Sequence, residues 1–234
     1  MLYAEVEGDD AMIRAVVFDL AGTLLEGDIY IDVETKDEGL SRLLREAGYD
    51  VYYQEVWSAR QLVMFIDYPR GRADTPQEYY AMVLERLEIP VDQRLADALA
   101  KKAAEFERVR LYPDVVPTVS ALRARRIKTA ILTTIPTWRF AYLLEKNSVK
   151  IDFICTAREA KAVKPNPKIY TAVLETLEVN PTEALMVGDL LETDVTPPKK
   201  LGMKGVLLCR TQRKECKEAD YVITSLTELL KLIE

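Results

Sequence analysis

The sequence predicts an α/β protein, a doubly wound parallel sheet with a helical domain inserted after the first strand. Short, continuously apolar runs alternate with amphipathic helical patterns over most of the chain, which is typical of parallel strands buried on both faces. Residues 29–110 interrupt this alternation, since they carry helical patterns without a convincing buried strand. The 234 residues are enough for one large core and a smaller module.

Six apolar runs are predicted to be the strands of the sheet, because each is short and bounded by turn residues or a helical pattern. They are Ile13–Asp19, Lys128–Thr134, Asp152–Thr156, Ala184–Asp189, Val206–Cys209 and Tyr221–Ile223. The helices predicted between them are Val115–Arg125, Thr137–Lys146, Pro167–Glu178, Thr196–Leu201 and Ser225–Ile233. In such a sheet, ligands bind beyond the carboxyl ends of the strands.

The interrupting segment is long enough to bury a small core of its own. Its helical patterns are Asp37–Ala47, Tyr52–Ile66, Pro76–Leu87 and Asp92–Val109. We therefore expect an N-terminal extension (1–11), an α/β core (12–28 and 111–234) and an α-helical cap (29–110). The two junctions, near Glu26–Asp28 and Arg110–Pro113, are expected to act as hinges.

The composition disfavours several classes of protein. The formal charge of −6 disfavours nucleic acid as a partner, and no apolar run is long enough to span a membrane. The chain has no histidine and no Cys-x-x-Cys pair, so neither a zinc site nor His-based nucleophilic catalysis is expected. We expect a cytoplasmic protein, because no signal peptide is recognisable and three cysteines make no disulfide framework. The scarcity of Asn suggests a thermophilic source.

Side chains that can carry chemistry occur at four places along the core. One apolar strand ends in Asp19 and a tight Ala-Gly-Thr turn, and a second ends in Thr133. Lys164 stands in a Pro-rich loop, and Asp189 opens a segment that reaches Asp194. Singly, Asp19 and Asp194 fit helix N-caps, the lysine fits a solvated side chain, and the threonine fits a residue whose hydroxyl bonds locally. Together, at strand ends and in loops, they predict one site.

The order of these pieces resembles the motifs of the haloacid dehalogenase superfamily, from about residue 12 to the C-terminus. The resemblance implies a Rossmann-like core that hydrolyses a small phosphate ester through an aspartyl-phosphate on Asp19. It implies that Lys164 neutralises charge and that Mg²⁺ is held by Asp19, the Ala21 carbonyl, Asp189 and Asp194. It also implies phosphoryl binding by the turn and by the end of the second core strand, at Gly22, Thr23, Thr133 and Thr134.

Ala21 departs from the family pattern, because the phosphatases usually carry a second Asp there. That Asp protonates the leaving group and then activates water, which is worth about 10²–10⁴ in rate. Three explanations compete. One is a slow or selective phosphatase, whose substrate has a good leaving group or whose proton comes from another donor such as Glu26. The second is a phosphonate hydrolase that forms a Schiff base, and the third is that Ala21 was introduced to trap a complex. The lysines available for a Schiff base in the cap are Lys36, Lys101 and Lys102.

Outside catalysis, the alternative is a weakly active regulatory module that binds phosphate. Halide displacement is not expected, because the dehalogenases of the family usually carry Tyr at position 21.

The cap is expected to select the substrate. Arg70 and Arg72 lie in a predicted loop with Tyr68, which suits an anionic ligand, although solvated side chains are a simpler interpretation. The predicted partner is thus a small phosphorylated metabolite, with no nucleic acid or membrane partner. The sequence predicts no oligomeric state.

Overall fold

Two sheets are formed in the computed structural model, which describes residues 12–27, 33–105, 109–212 and 215–233. The predicted N-terminal extension, residues 1–11, lies outside these ranges. The strands are β1 (Ala15–Phe18), β2 (Leu25–Gly27), β3 (Val109–Leu111), β4 (Lys128–Thr133), β5 (Phe153–Thr156), β6 (Ala184–Gly188), β7 (Lys204–Leu208) and β8 (Tyr221–Ile223).

The larger sheet contains six parallel strands in the order β5-β4-β1-β6-β7-β8. When only these six are numbered along the chain, the order is 3-2-1-4-5-6, that of a doubly wound sheet. This order confirms the predicted α/β fold class. It reverses between β1 and β6, so these two neighbouring strands flank the position at which ligands bind in such folds.

The helices form two groups, those of the insertion between β2 and β3 and those that alternate with the strands of the large sheet. The α-helices are α1 (Val33–Glu46), α2 (Tyr53–Leu62), α3 (Pro76–Arg86), α4 (Gln93–Glu105), α5 (Val115–Ala124), α6 (Ala141–Lys146), α7 (Ala157–Ala160), α8 (Pro167–Leu177) and α9 (Thr196–Lys200). Single 3₁₀ segments occupy Thr137–Arg139, Pro181–Glu183 and Leu226–Lys231. Within the ranges described, none of the helices combines the length and the apolar character that crossing a bilayer requires.

Both faces of the large sheet are buried, because successive side chains of a strand point to opposite sides. Val16 and Phe18 of β1 belong to one apolar cluster, to which α5 and α6 contribute. Ala15 and Val17 belong to another, to which α8 contributes Tyr170. This double burial explains why the strands are continuously apolar in sequence.

The helices α1–α4 follow β2 in the chain and pack around an apolar cluster of their own, which includes Leu84 and Leu99. The second of them changes its winding after Leu62. A π-helical turn, Val63–Asp67, follows α2 and leads into a 3₁₀ turn, Tyr68–Arg70. The treatment of this helical insertion as a separate cap domain stays a prediction.

The helical insertion also contacts the core. The hydroxyl groups of Tyr68 and Thr156 lie 3.0 Å apart in a hydrogen bond, and Arg158 of α7 forms an ion pair with Asp74. Trp138, from the segment that follows β4, packs against the apolar cluster of the insertion. These contacts hold the 3₁₀ turn of the insertion against the carboxyl edge of the sheet.

A short antiparallel ribbon joins the insertion to the core, and the sequence analysis missed it. Gly27 of β2 pairs with Val109 of β3, and Leu25 pairs with Leu111. Arg110 donates a hydrogen bond across the ribbon to Glu26, which lies 84 positions earlier in the chain. β2 and β3 each have a charged residue at their centre, so neither shows the continuous apolar run by which β8, also three residues long, was predicted. The ribbon occupies the two junctions that the sequence predicts to be hinges.

A fully buried carboxylate ties parts of the insertion together. Asp67, at the end of the π-helical turn, accepts hydrogen bonds from Arg72 at 3.0 Å and from two nitrogens of Arg86 at 2.9 Å. Arg72 reaches back from the following loop, and Arg86 lies at the end of α3. Asp67 is 0% exposed, so these hydrogen bonds replace the contacts with water that its carboxylate loses on burial.

We expect Asp67→Ala to lower the free energy of unfolding by about 1–3 kcal/mol, because two guanidinium groups lose a shared acceptor. Urea denaturation measures the change. The matched control is Glu85→Gln, since Glu85 also binds Arg72 but is exposed, and it should change stability by less than about 1 kcal/mol. Equal losses from the two variants would contradict the structural role assigned to Asp67.

Candidate active site

Two neighbouring strands deliver carboxylates to the same edge of the sheet. Asp19 follows β1, Asp189 follows β6, and the main-chain N–H of Asp19 donates to the Val187 carbonyl at 2.8 Å. Gly22 turns the chain back at a φ of +77°, and a Cβ placed there would lie 2.3 Å from a carboxylate oxygen of Asp189. The turn therefore requires glycine for its backbone conformation and for its close approach to Asp189.

Asp194 enters the site from a π-helical turn, Leu191–Val195, which follows β6. Its side chain is fully buried, and one carboxylate oxygen accepts a hydrogen bond from the N–H of Leu190 at 3.2 Å. A Cβ on Gly188 would lie 2.2 Å from the same carboxylate. The last residue of β6 must therefore be glycine for Asp194 to reach this position.

Lys164 bridges two of these carboxylates. Its ammonium donates to Asp19 and, at 2.8 Å, to Asp194, and its side chain is 8% exposed. The three carboxylates of Asp19, Asp189 and Asp194 each offer an oxygen within 4.8 Å of the others. One ammonium therefore faces three carboxylates, and the cluster has an excess of negative charge when all are ionised.

Burial and mutual repulsion change the pKa values of these groups. Burial raises the pKa of Asp19, Lys164 lowers it and Asp194 raises it again, and the balance is a pKa of about 6. Burial, then the charge of Asp194, raises the pKa of Asp189. Burial favours a lower pKa for Lys164, but its two carboxylate partners outweigh it and hold that pKa above its usual range. Lys164 is therefore protonated at neutral pH, whereas Asp19 titrates near neutrality.

A cavity of about 410 Å³ opens over the cluster. Phe65, 42% exposed, comes from the π-helical turn of the insertion, so both the core and the insertion form the walls. The lining residues are Asp19, Ala21, Gly22, Gly27, Phe65, Thr134, Lys164, Asp189, Leu190 and Thr193. Asp194 lies beneath them, in contact with Lys164.

The structure brings most of the predicted core residues together. Asp19, Ala21, Gly22, Thr134, Lys164 and Asp189 line the cavity, and Asp194 completes the acidic cluster. Thr133 does not line it: its hydroxyl is buried and accepts a hydrogen bond from the N–H of Ile135 at 3.1 Å. Thr23 is also buried, and its carbonyl accepts a hydrogen bond from Arg210.

The two predicted arginines of the insertion are not brought to this cavity. Arg72 binds Asp67 and Glu85 within the insertion, so its guanidinium stabilises the helices instead. Arg70 is exposed at the end of the 3₁₀ turn and is not among the lining residues. The prediction relied on their nearness in sequence to an aromatic residue, which does not determine the direction of a side chain.

Glu26 does not serve the cavity either. It pairs with Arg110 on the exposed ribbon at 2.7 Å, and this hydrogen bond lowers the pKa of its carboxyl. Glu26 is therefore ionised at neutral pH and is a poor proton donor. Of the three lysines considered for a Schiff base, Lys101 and Lys102 do not line the cavity. The side chain of Lys36 lies outside the described residues.

Four lining residues were missed by the sequence analysis. Gly27 was assigned only to the first junction and Phe65 only to the predicted helix Tyr52–Ile66, whereas Leu190 and Thr193 lie inside the segment from Asp189 to Asp194. The signal for Phe65 lies in the π-helical turn, because such turns often occur at functional sites. No sequence pattern distinguishes this turn from a continuous α-helix.

The fold and the acidic cavity at its carboxyl edge define a class of protein. The chain belongs to the haloacid dehalogenase-like hydrolases, because the model of that family matches residues 13–202. The resemblance inferred from Asp19, Thr133, Lys164 and the segment Gly188–Asp194 is thereby confirmed.

Individual relatives are similar over nearly the whole chain. The glyceraldehyde 3-phosphate phosphatase of Pyrococcus furiosus is 29% identical over 234 residues, covering 95% of this chain and 93% of that protein. The ribulose-1,5-bisphosphate 5-phosphatase of Halopiger xanaduensis is 28% identical over 245 residues, covering 95% and 100%. The crystal structure of a HAD phosphatase from Thermococcus onnurineus superposes with a TM-score of 0.65 at 28% identity, covering 94% and 98%.

The raised pKa of Asp19 predicts that the free energy of unfolding depends on pH. The folded state retains a proton that the unfolded state releases between about pH 4 and about pH 6, so the stability contributed by Asp19 is lost as the pH rises through about 6. In metal-free buffer, Asp19→Asn should gain roughly 1–3 kcal/mol relative to the wild type between about pH 4 and about pH 8. Urea denaturation across this range measures the difference.

The matched control is Asp152→Asn. Burial favours a higher pKa for Asp152, but hydrogen bonds from Thr129 and Arg123 outweigh it and hold the pKa below its usual value. Its stabilisation is therefore present at neutral pH and lost as the pH falls. Because Asp152 titrates below about pH 4, the Asp152→Asn variant should be less stable than the wild type by a constant amount between about pH 4 and about pH 8, whereas the difference between Asp19→Asn and the wild type changes with pH. The same slope for both variants would refute the assignment of a raised pKa to Asp19.

Proposed function

We propose that this protein is a Mg²⁺-dependent phosphatase that hydrolyses a small phosphate ester through an aspartyl-phosphate on Asp19. The observation that carries the proposal is the convergence of Asp19, Asp189 and Asp194 around Lys164 in a cavity at the carboxyl edge of the sheet. The phosphatases from Pyrococcus furiosus and Halopiger xanaduensis support the reaction class, since both act on phosphorylated small molecules by their names.

The donor set fits Mg²⁺. The donors are carboxylate oxygens, which this ion prefers, and their charge exceeds that of the single ammonium beside them. Asp19, Asp189, Asp194 and the carbonyl of Ala21 are the residues that would hold it. When bound, the ion would offset the repulsion between an anionic substrate and the attacking carboxylate.

Asp19 and Lys164 have different roles in the proposed reaction. A carboxylate oxygen of Asp19 attacks phosphorus, the bond from phosphorus to the leaving oxygen breaks, and that oxygen takes the electron pair. Lys164, protonated and in contact with Asp19, stabilises charge that develops on the phosphoryl group. Water then attacks phosphorus, the bond from phosphorus to the Asp19 oxygen breaks, and both protons of the water leave with the inorganic phosphate, which restores the carboxylate. Gly22 and Thr134 line the cavity where phosphoryl oxygens would bind.

The leaving group receives little help from the described residues of the cavity. Ala21 offers a methyl group where a proton donor would act, and the pair with Arg110 keeps Glu26 ionised. We infer a substrate whose leaving group departs without strong acid catalysis or carries its own proton source. The helical insertion, through Phe65, would act as the cap that contacts this leaving group.

The thiols of Cys155, Cys209 and Cys216 are free, which supports a cytoplasmic setting.

We expect hydrolysis of p-nitrophenyl phosphate that depends on added Mg²⁺, because p-nitrophenolate needs little protonation. Asp19→Asn should abolish turnover, and Lys164→Met should lower kcat by roughly 10²–10³-fold. The control is Asp152→Asn, because Asp152 is a partly exposed carboxylate that does not line the cavity, and this variant should retain activity at 25 °C.

Turnover that survives Asp19→Asn would exclude the covalent route. If the wild type binds phosphate with Mg²⁺ but does not turn over, the regulatory module becomes the better interpretation. Inactivation by borohydride in the presence of phosphonoacetaldehyde would favour the Schiff-base route instead.

Restoring an acid at position 21 tests the interpretation of Ala21. We expect Ala21→Asp to raise turnover of an alkyl ester such as glycerol phosphate by roughly a hundredfold, because alkoxides leave poorly unless they are protonated. Turnover of p-nitrophenyl phosphate should rise less, because for this ester Asp at position 21 restores only the activation of water and not a needed protonation of the leaving group. Ala21→Asn is the matched control, since it has the same shape without the acid. A similar gain from Ala21→Asn would contradict the acid–base explanation.

A further inference from the structure

Arg210 lies two residues beyond the end of β7 and outside the cavity. Its guanidinium nevertheless contacts two other parts of the chain, the turn after Asp19 and the segment after β3. One nitrogen donates to the carboxylate of Asp114 at 2.6 Å, and another donates to the carbonyl of Thr23. The guanidinium carbon also lies 3.8 Å from the centre of the Tyr112 ring, at cation–π distance. The Arg210 side chain is 15% exposed, so these partners enclose it.

The carboxylate of Asp114 extends this contact to the end of the chain. The oxygen that Arg210 contacts also accepts hydrogen bonds from the hydroxyl of Ser225 at 2.9 Å and from the N–H of Leu226 at 2.8 Å. Burial favours a higher pKa for Asp114, but Arg210 and these donors outweigh it and hold the pKa below its usual value. The pair is therefore charged at neutral pH, and charge-assisted hydrogen bonds of this kind are strong.

The positions of these partners in the chain explain why the contact concerns the active site. Thr23 belongs to the turn between Asp19 and β2, whereas Tyr112 and Asp114 follow β3 directly. One guanidinium thus holds the chain just before one strand of the ribbon and just after the other.

The turn is also held by hydrogen bonds of its own and by the burial of Leu20 and Leu24 in the core cluster. The N–H of Gly22 donates to the Leu25 carbonyl at 3.0 Å, and the N–H groups of Leu24 and Leu25 donate to the Leu20 carbonyl at 2.9 Å. The N–H of Tyr112 donates to the Leu24 carbonyl at 3.0 Å. These bonds close the turn on itself and on β3. Within the described part of the chain, the hydrogen bond from Arg210 to Thr23 ties a carbonyl of the turn to the loop after β7.

We propose that Arg210 is a positioning residue, which fixes the turn after Asp19 and the root of the ribbon in one arrangement. The turn carries Ala21 and Gly22 to the cavity, and Gly22 approaches Asp189 closely. A displacement of about 1 Å in such a constellation costs roughly a hundredfold in rate. The catalytic consequence rests on the proposed phosphatase function, whereas the positioning of the turn does not.

The first measurement is hydrogen exchange of the turn amides by NMR, which needs no activity. In Arg210→Gln, the protection of Gly22, Leu24 and Leu25 should fall by roughly tenfold or more, because their turn loses its tie to the loop after β7. The matched control is Arg125→Gln, since Arg125 also donates to a carbonyl, that of Leu230, but far from the turn. It should leave the protection of these three amides unchanged.

The second measurement is the kinetics of p-nitrophenyl phosphate hydrolysis at saturating Mg²⁺. Arg210→Gln should lower kcat by roughly 10–100-fold with KM within about twofold, because the geometry of the reacting groups changes while their identity does not. Arg210→Lys keeps the charge but reaches only one of the two oxygen partners, so it should restore kcat in part. Arg125→Gln should change neither constant.

Unchanged protection of the turn amides in Arg210→Gln would overturn the proposal. So would a lower melting temperature with kcat as in the wild type, since that would give Arg210 a purely structural role. A wild type that does not hydrolyse the ester under any condition would refute the phosphatase function instead, and hydrogen exchange would still decide whether Arg210 positions the turn.

Discussion

The contact of the Lys164 ammonium with Asp19 and Asp194 is the interaction on which the site depends. Two carboxylates buried this close would repel each other strongly without a cation between them. Buried ion pairs contribute little net stability, because desolvation offsets most of their attraction. The arrangement is therefore better explained by catalysis than by stability. Lys164 stays protonated beside Asp19, and the pKa of Asp19 is raised to about 6.

The surrounding chain is shaped to let these groups approach. Two glycines stand where a side chain would collide with a carboxylate, Gly22 against Asp189 and Gly188 against Asp194. The strand order places β1 beside β6. Asp19 and Asp189, which are 170 positions apart in the chain, therefore meet at the carboxyl ends of these two neighbouring strands. The charged groups of the cluster can therefore approach one another only because residues 22 and 188 have no side chain.

The sequence was sufficient for the parts that follow from hydrophobic periodicity. The six strands of the large sheet lie within about two residues of their predicted positions, and the acidic side chains converge because their strands are neighbours. It was insufficient where structure depends on pairing between distant short segments, as in β2–β3, or on side-chain direction, as for Arg72 and Phe65. A propensity acts on neighbours in the chain, whereas these features are decided by partners far along it.

The ribbon has a consequence for how such a protein can change over evolutionary time. Gly27 and Val109 are paired, so the polypeptide leaves the sheet and returns to it at almost the same point. Segments whose two ends are adjacent tolerate lengthening, shortening or exchange, because the framework that receives them need not move. The helices between these ends can therefore diverge, or be replaced by an unrelated module, while the catalytic framework beneath them is inherited unchanged.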